Sequence, residues 1–216
     1  MLAAAIMKVT SIRYTDMSEK RNQIVSTATR LFGLYGYHSV GIDWVISEAH
    51  VTKTTMYRHF PLKTDLIVEV LEQRARACAA SLDEVLAQAG SPLERMQKVF
   101  EWHRDWFNAE DFSGCMFAHA AAEFPSKGYP IHAAAAAQKA GLTERIESIL
   151  CEMIDPGEAS ALAPVFMMLL DGATLSAQIA GRKSAATEAW SVAREMILAR
   201  SRPAVTPSSI ASAPAS

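Results

Sequence analysis

The chain reads as an all-α protein. An N-terminal three-helix head carries a helix-turn-helix, and a larger helical body follows it. Three observations predict this. Apolar residues recur at helical spacing through most of the 216 residues. Gly and Pro fall between those stretches, often beside a polar capping residue. No alternating run reads as a strand, and no segment repeats.

The elements follow in order. Residues 1–15 read as a flexible arm. Asp16 with Glu19 forms a capping box that opens the first helix. Ile24, Val25, Ala28, Leu31, Phe32 and Tyr35 form its inward stripe, and Gly36 stops it. A second helix spans about 41–49 with Ile42, Val45 and Ile46 inward. After a short turn Thr52 caps a third, to His59, and Val51, Met56 and Phe60 close a small core. Pro61 breaks the chain. A long helix runs from Lys63 to about residue 88. Ser91, Pro92 and Glu94 start a fifth, rich in Trp and Phe. Helices follow over about 112–124, 130–154, 159–180 and 184–200. Asp155-Pro156-Gly157-Glu158 is a capping box before the first of the last two, and Gly181 ends it. Residues 201–216, rich in Pro, Ser and Ala, read as a disordered tail.

Composition narrows the function classes. Half the chain is hydrophobic, enough for a sizeable core. No uninterrupted apolar run reaches the roughly 18 residues that cross a bilayer. The first residues lack the order of a secretory signal, so a cytoplasmic protein with no membrane partner is expected. Cys78, Cys115 and Cys151 are odd in number and lack zinc spacing, which suits buried free thiols in a reducing compartment. Net charge is −2, but its distribution is uneven. Residues 1–63 hold eight basic and four acidic residues; the remainder holds thirteen and nineteen. Basic charge therefore gathers in the head.

The third helix explains why. Within little more than two turns it offers Lys53, Thr54, Thr55, Tyr57, Arg58 and His59. That is more hydrogen-bonding chemistry than core packing requires, and it suits a helix laid in the DNA major groove. Arg58 has the geometry to read guanine; Tyr57 is expected at a phosphate. Lys63, at a helix start, opposes the macrodipole, a placement that makes sense against phosphate. Trp44 either lies on the sugar-phosphate edge or covers the core.

These residues resemble the TetR family of bacterial transcriptional regulators. The resemblance rests on Leu31-Phe32, Gly36-Tyr37, Thr52-Lys53-Thr54-Thr55-Met56-Tyr57-Arg58-His59-Phe60 and Lys63-Thr64-Asp65-Leu66. Gly114-Cys115-Met116-Phe117 through Glu123-Phe124-Pro125, and Leu169-Leu170-Asp171-Gly172-Ala173, are similar to one branch of it. Two positions depart from the pattern: His50 stands where the turn usually has glycine, and Leu62 where the next helix usually has a polar cap.

The resemblance implies that the body binds ligand and dimerises, with double-stranded operator DNA, a second copy of the chain and a small-molecule effector as partners. A cavity between body helices is expected to use Trp102, His103, Trp106, Phe107, Met116, Phe117, His119, Phe124, Met167 and Asp171, alongside the possible helpers Met153, Met168 and Gln178. The last two helices are expected to form a four-helix bundle with their mates. Gly172, Ala173, Ala177 and Ala180 allow close approach, flanked by Leu169, Leu175 and Ile179, with Trp190 on the last helix. Two-fold symmetry implies a near-palindromic operator with half-sites about 34–36 Å apart or a multiple.

Repression relieved by a small apolar or amphipathic ligand is the expected mode, through a swing of the helix that starts near Lys63. An activator, a regulator controlled by a protein partner, and a helical ligand-binding protein that has lost DNA binding stand as alternatives. No cofactor is expected. His103, His119, Glu123 and His132 lack metal-ligand spacing, so no metal is expected. Cys115 has no basic neighbour in sequence and reads as inert. No nucleophile elbow, phosphate loop or zincin motif is present, so catalysis is not expected.

Overall fold

The first helix, α1 (Leu2–Tyr35), places Ile24, Val25, Ala28, Leu31 and Phe32 on one buried face. The computed structural model describes the backbone of residues 2–200 and the side chains of residues 18–200. The tail expected over 201–216 lies outside the described residues. The helix starts earlier than the capping signal implied. Residues 2–15 continue α1 in place of an arm, so Asp16 and Glu19 fall inside the helix. The run holds good helix formers and no Gly or Pro before Gly33, so nothing in it stops the helix.

Gly36, at φ 80°, turns the chain out of α1. That turn reverses one expectation. Tyr35, counted as core, is 51% exposed, and Tyr37 beyond the glycine is fully buried. Helices α2 (Ile42–Glu48) and α3 (Lys53–His59) follow. Val45, Met56 and Phe60 are buried beneath them, and Ile42, Ile46 and Val51 pack at the edge. His50 takes the left-handed turn at φ 48°, as its position in place of glycine requires.

Helix α4 (Lys63–Leu86) is the spine of the molecule. Leu62 has no side-chain acceptor for its start. Asp65 makes half a capping box instead, accepting the Leu62 N–H at 3.0 Å. The first half of α4 places Leu66, Ile67, Val70 and Leu71 in the head's core. Further along, Leu82 belongs to a second core. The head was expected over about 16–64 and the body over about 65–200, but the head's core extends past residue 64 and also takes in Phe117, Ala120, Ile131 and Ala135 from the body.

The body comprises α5 (Pro92–Phe107), α6 (Met116–Glu123), α7 (Pro130–Cys151), α8 (Pro156–Ala180) and α9 (Ala185–Leu198). Ser91 caps α5, accepting the Glu94 N–H at 3.2 Å, and Glu94 reaches back to the Gly90 N–H at 2.8 Å. Asp155 caps α8 through the Gly157 N–H at 2.9 Å. Helix α6 starts later than expected, because Gly114 at φ 95° interrupts the chain before it. All regular structure among the described residues is helical.

By length and composition α8 is long and apolar enough to cross a membrane, its best window having a mean hydropathy of 1.4. The count of uninterrupted apolar residues stands, because Asp171 breaks the run that this window spans. Burial accounts for one side of the helix: Leu162, Phe166, Met167, Leu170, Ala173 and Ala177 lie in the second core. Met168, Leu175 and Ile179 face outward.

Candidate nucleic-acid interface and effector cavity

The reading surface forms where α3 emerges from the head. Thr52 starts α3 by accepting the Thr55 N–H at 3.1 Å, and the two hydroxyls lie 2.9 Å apart. Met56 and Phe60 anchor the inner face. Lys53, Thr54, Tyr57 and Arg58 are thereby left exposed on the outer one. Lys53 pairs with Asp43 at 2.9 Å, with both side chains mostly exposed. Its ammonium pKa is raised by the hydrogen bond to that carboxylate. A phosphate meeting Lys53 would compete with Asp43 for the ammonium.

The remaining candidates are less open. Thr55 is half-buried and engaged in the cap. His59 turns inward beside Phe60, and its Nε2 is buried without a partner among the described residues. Burial, then the charges of Arg58 and Arg21, lowers its pKa and favours the neutral ring. That withdraws His59 from the exposed row. Lys63 is half-buried, 3.5 Å from the His38 carbonyl, and desolvation lowers its pKa. Trp44 is 38% exposed and packs on Tyr35 with ring centroids 4.9 Å apart. Both readings of Trp44 thus find a face. Tyr35 joins the surface unannounced, since its helical spacing had marked it as core.

A cavity of about 580 Å³ opens between α4, α5, α6 and α7. Of the expected lining residues it gathers Trp102, His103, Trp106, Met116 and Phe117. The others lie elsewhere. Phe107 and Met167 are packed in the second core. His119 accepts from Gln178 at 3.0 Å. Phe124 is stacked between His38 and Tyr129. Asp171 is exposed and pairs with Lys139, which lines the cavity. Sequence reasoning missed Arg74, Cys78, Ser81, Gln138, Lys139 and Leu142. Polar side chains on long helices look like solvated faces, and nothing local marks them. A second cavity of about 320 Å³ adjoins, sharing Cys78, Trp102, Gln138 and Leu142.

His103 is the buried polar centre of the first cavity, 5% exposed. Its Nδ1 lies 2.8 Å from the Val99 carbonyl, which only accepts, so Nδ1 carries the proton. Burial pushes its pKa down to about 4. Cys115 is half-buried at the cavity wall, and burial raises the Cys78 thiol. Cys151, expected inside, is exposed at the end of α7. The four residues weighed for metal sit apart: His132 donates to the Phe124 carbonyl at 2.9 Å, and Glu123 serves another purpose.

Glu123 joins body to head. Oε1 accepts the Tyr37 N–H at 2.9 Å, and Oε2 accepts the His38 N–H at 2.6 Å and lies 2.7 Å from His38 Nδ1. Burial pushes this carboxyl upward, but the Tyr37 and His38 hydrogen bonds outweigh it, and its pKa is lowered. At the other end of α6 the Tyr37 hydroxyl donates to the Met116 carbonyl at 2.9 Å. Met116 also lines the cavity. One short helix therefore touches both cavity and head.

The last two helices present an outward apolar stripe. Met168, Leu175 and Ile179 are 65%, 55% and 76% exposed. Gly172 lies in line with them and has open space around it. Val192 and Leu198 of α9 are also exposed. Of the expected interface residues, Gly172 and Ala180 are exposed and Leu169 is half-buried. Ala173 and Ala177 face inward, and Trp190 packs on Phe100. The inward alanines are corrected: they let α8 lie close to its own neighbours.

Known proteins share this architecture. The profile described as "Bacterial regulatory proteins, tetR family" matches residues 24–70, and that of a "Tetracyclin repressor-like, C-terminal domain" matches residues 92–193. The crystal structure of SCO4454, a TetR-family transcriptional regulator from Streptomyces coelicolor, superposes with a TM-score of 0.80. It is 30% identical over 86% of this chain and 97% of that one. The Bacillus subtilis HTH-type transcriptional regulator LmrA is 30% identical over 54% of this chain and 63% of its own. The uncharacterized regulator YxaF of the same organism is 28% identical over 46% and 53%. The chain thus spans somewhat more than half the length of these two curated relatives. With both halves matched and a full-length structural relative at hand, the chain belongs to the TetR family of DNA-binding, helix-turn-helix transcriptional regulators.

Proposed function

We propose that this regulator is a cytoplasmic homodimeric repressor, released from a near-palindromic operator by a small apolar or amphipathic effector. The observation that carries the reading is the sharing of α4 and α6 between cavity and head. Met116 lines the cavity while its carbonyl holds Tyr37, and Arg74 and Cys78 line it from the helix that begins at Lys63. A ligand that moves these walls has a direct mechanical route to α3. Lys53, Thr54, Tyr57 and Arg58 are the base and phosphate contacts of this reading; Trp44 and Lys63 flank them. The stripe of Met168, Gly172, Leu175 and Ile179 supports α8 as the dimer seam, with a spacing that returns every three or four residues.

The test is fluorescence anisotropy on DNA from upstream of the chain's own gene, against scrambled DNA, across a salt series. Specific binding with a steep salt slope, lost in Arg58→Ala, supports the reading. By linkage, an effector that weakens operator binding binds the DNA-bound form more weakly by the same factor. Unchanged operator affinity for every cavity-binding compound overturns effector control. A monomer by sedimentation, unaltered by Ile179→Glu, overturns the dimer.

A further inference from the structure

The charges around the main cavity do not balance. Lys139 is matched by Asp171, and Asp105, the acidic side chain in the wall, pairs with Arg104 at 2.7 Å. On the neighbouring surfaces Arg76 meets Glu69 at 3.2 Å, and Arg145 meets Asp83. Arg74 is the exception: it lines the cavity half-buried, with no ion pair or hydrogen bond to any described residue. Its charge reaches the Cys78 thiol, which lines the same wall. A cation left unmatched against an apolar wall is costly unless an anion arrives.

The wall around it is aromatic and short of donors. Trp102 and Trp106 lie 6.4 Å apart by ring centroid, with Phe117 and Leu142 completing the apolar surface. His103, its Nδ1 committed to Val99, keeps Nε2 as an acceptor with no partner among the described residues. Gln138 Oε1 is buried and also lacks a partner among the described residues. These are two acceptors waiting for a donor, and one cation waiting for an anion.

We propose that the cavity takes an aromatic anion: a flat ring system bearing a carboxylate, sulfonate or phenolate for Arg74 and a hydroxyl or N–H donor for Gln138 or His103. This rests on the reading of the cavity as the effector site and adds the chemical class of the effector. Arg74 supplies bidentate, charge-assisted hydrogen bonds. The tryptophans supply the ring surface. The buried acceptors fix its orientation.

Two fluorescent probes with nearly the same skeleton test it: 8-anilinonaphthalene-1-sulfonate, an anion, and N-phenyl-1-naphthylamine, which is neutral. Each is titrated into the full-length protein and into the variants Arg74→Met, Arg74→Lys and Leu142→Trp. The anion should bind more tightly to the unmodified protein. Arg74→Met should weaken the anion about tenfold or more and leave the neutral probe within about twofold, in line with a lost charge-assisted pair. Arg74→Lys should restore part of the anion's affinity. Leu142→Trp, which fills the cavity, should abolish both and so locate them. If the neutral probe binds as tightly and Arg74→Met moves neither, the anion proposal falls while the cavity stands. If both probes survive Leu142→Trp, or neither binds the unmodified protein, the effector-site reading falls with it.

Discussion

Replacing Glu123 by Gln changes a single atom type at the joint between head and body. The carboxylate accepts two backbone N–H groups at 2.9 and 2.6 Å and faces the His38 ring at 2.7 Å. A glutamine keeps one oxygen and turns an NH₂ toward a donor, so one hydrogen bond becomes a repulsion and another loses its charge. A hydrogen bond to a charged group contributes about 1.5–3 kcal/mol. The side chain is 26% exposed, so water compensates in part, and a loss of about 2 kcal/mol is expected. With a urea slope of about 2 kcal/mol per molar, the unfolding midpoint falls by about 1 M. The assay is equilibrium unfolding followed by circular dichroism, at fixed protein concentration because the stability of the proposed dimer would depend on it.

The pH dependence adds a second constraint. A carboxyl depressed in the folded state contributes stability above its unfolded value, here 4.5, and loses it as pH falls through the lower folded value. The gap between the two proteins should therefore narrow in acid. A midpoint shift below about 0.2 M at pH 7, or a gap that widens on acidification, refutes the reasoning.

Other outcomes follow from single residues. His103, pushed down to about 4 by burial, stays neutral while the unfolded chain protonates near 6.5. Stability should fall by about 3 kcal/mol as pH drops from 6.5 toward 4, and His103→Gln should flatten that slope in melting curves taken across the range. His50→Gly relieves a left-handed histidine and should raise stability by about 0.5–1 kcal/mol, or roughly 1–4 °C in Tm. Gly114→Ala should cost about 2 kcal/mol or more by thermal denaturation, since φ is 95° and a Cβ would lie 2.3 Å from the Gln178 amide. Asp43→Asn frees Lys53 and removes a negative charge from the proposed DNA-facing surface; DNA affinity should rise severalfold in anisotropy titrations at low salt and converge with the unmodified protein at high salt.

What was legible in the sequence was whatever local chemistry decides. Thr52, Ser91 and Asp155 cap where capping residues should, and Met56 and Phe60 are buried where helical period puts them. Predictions failed where direction depends on something distant. Tyr35 faces solvent and Tyr37 is buried in its place because one glycine turns the chain between them. On α8 nearly every position is apolar, so spacing did not show that Ala173 and Ala177 turn inward while Leu175 and Ile179 turn out. In the cavity the aromatic residues of α5 were visible, but Arg74, Gln138 and Lys139 come from helices whose polar residues resemble solvated faces. Glu123 was noticed as a possible metal ligand; only the fold shows it closing the turn after α1, eighty-six residues away from Tyr37.

The sharing of one hydrophobic core by residues as far apart as Ile24 and Ala135 has a practical corollary. The reading head is not a detachable module. A truncation after Leu71 strips Phe117, Ala120, Ile131 and Ala135 from the interior and leaves the Tyr37 and His38 amides without their carboxylate. A chimera that grafts this head onto a relative's body must therefore bring α6 and the first turns of α7 with it, or rebuild their socket. If α3 reads the operator as proposed, the natural cut for exchanging specificities runs through its outer face, not between the halves of the chain.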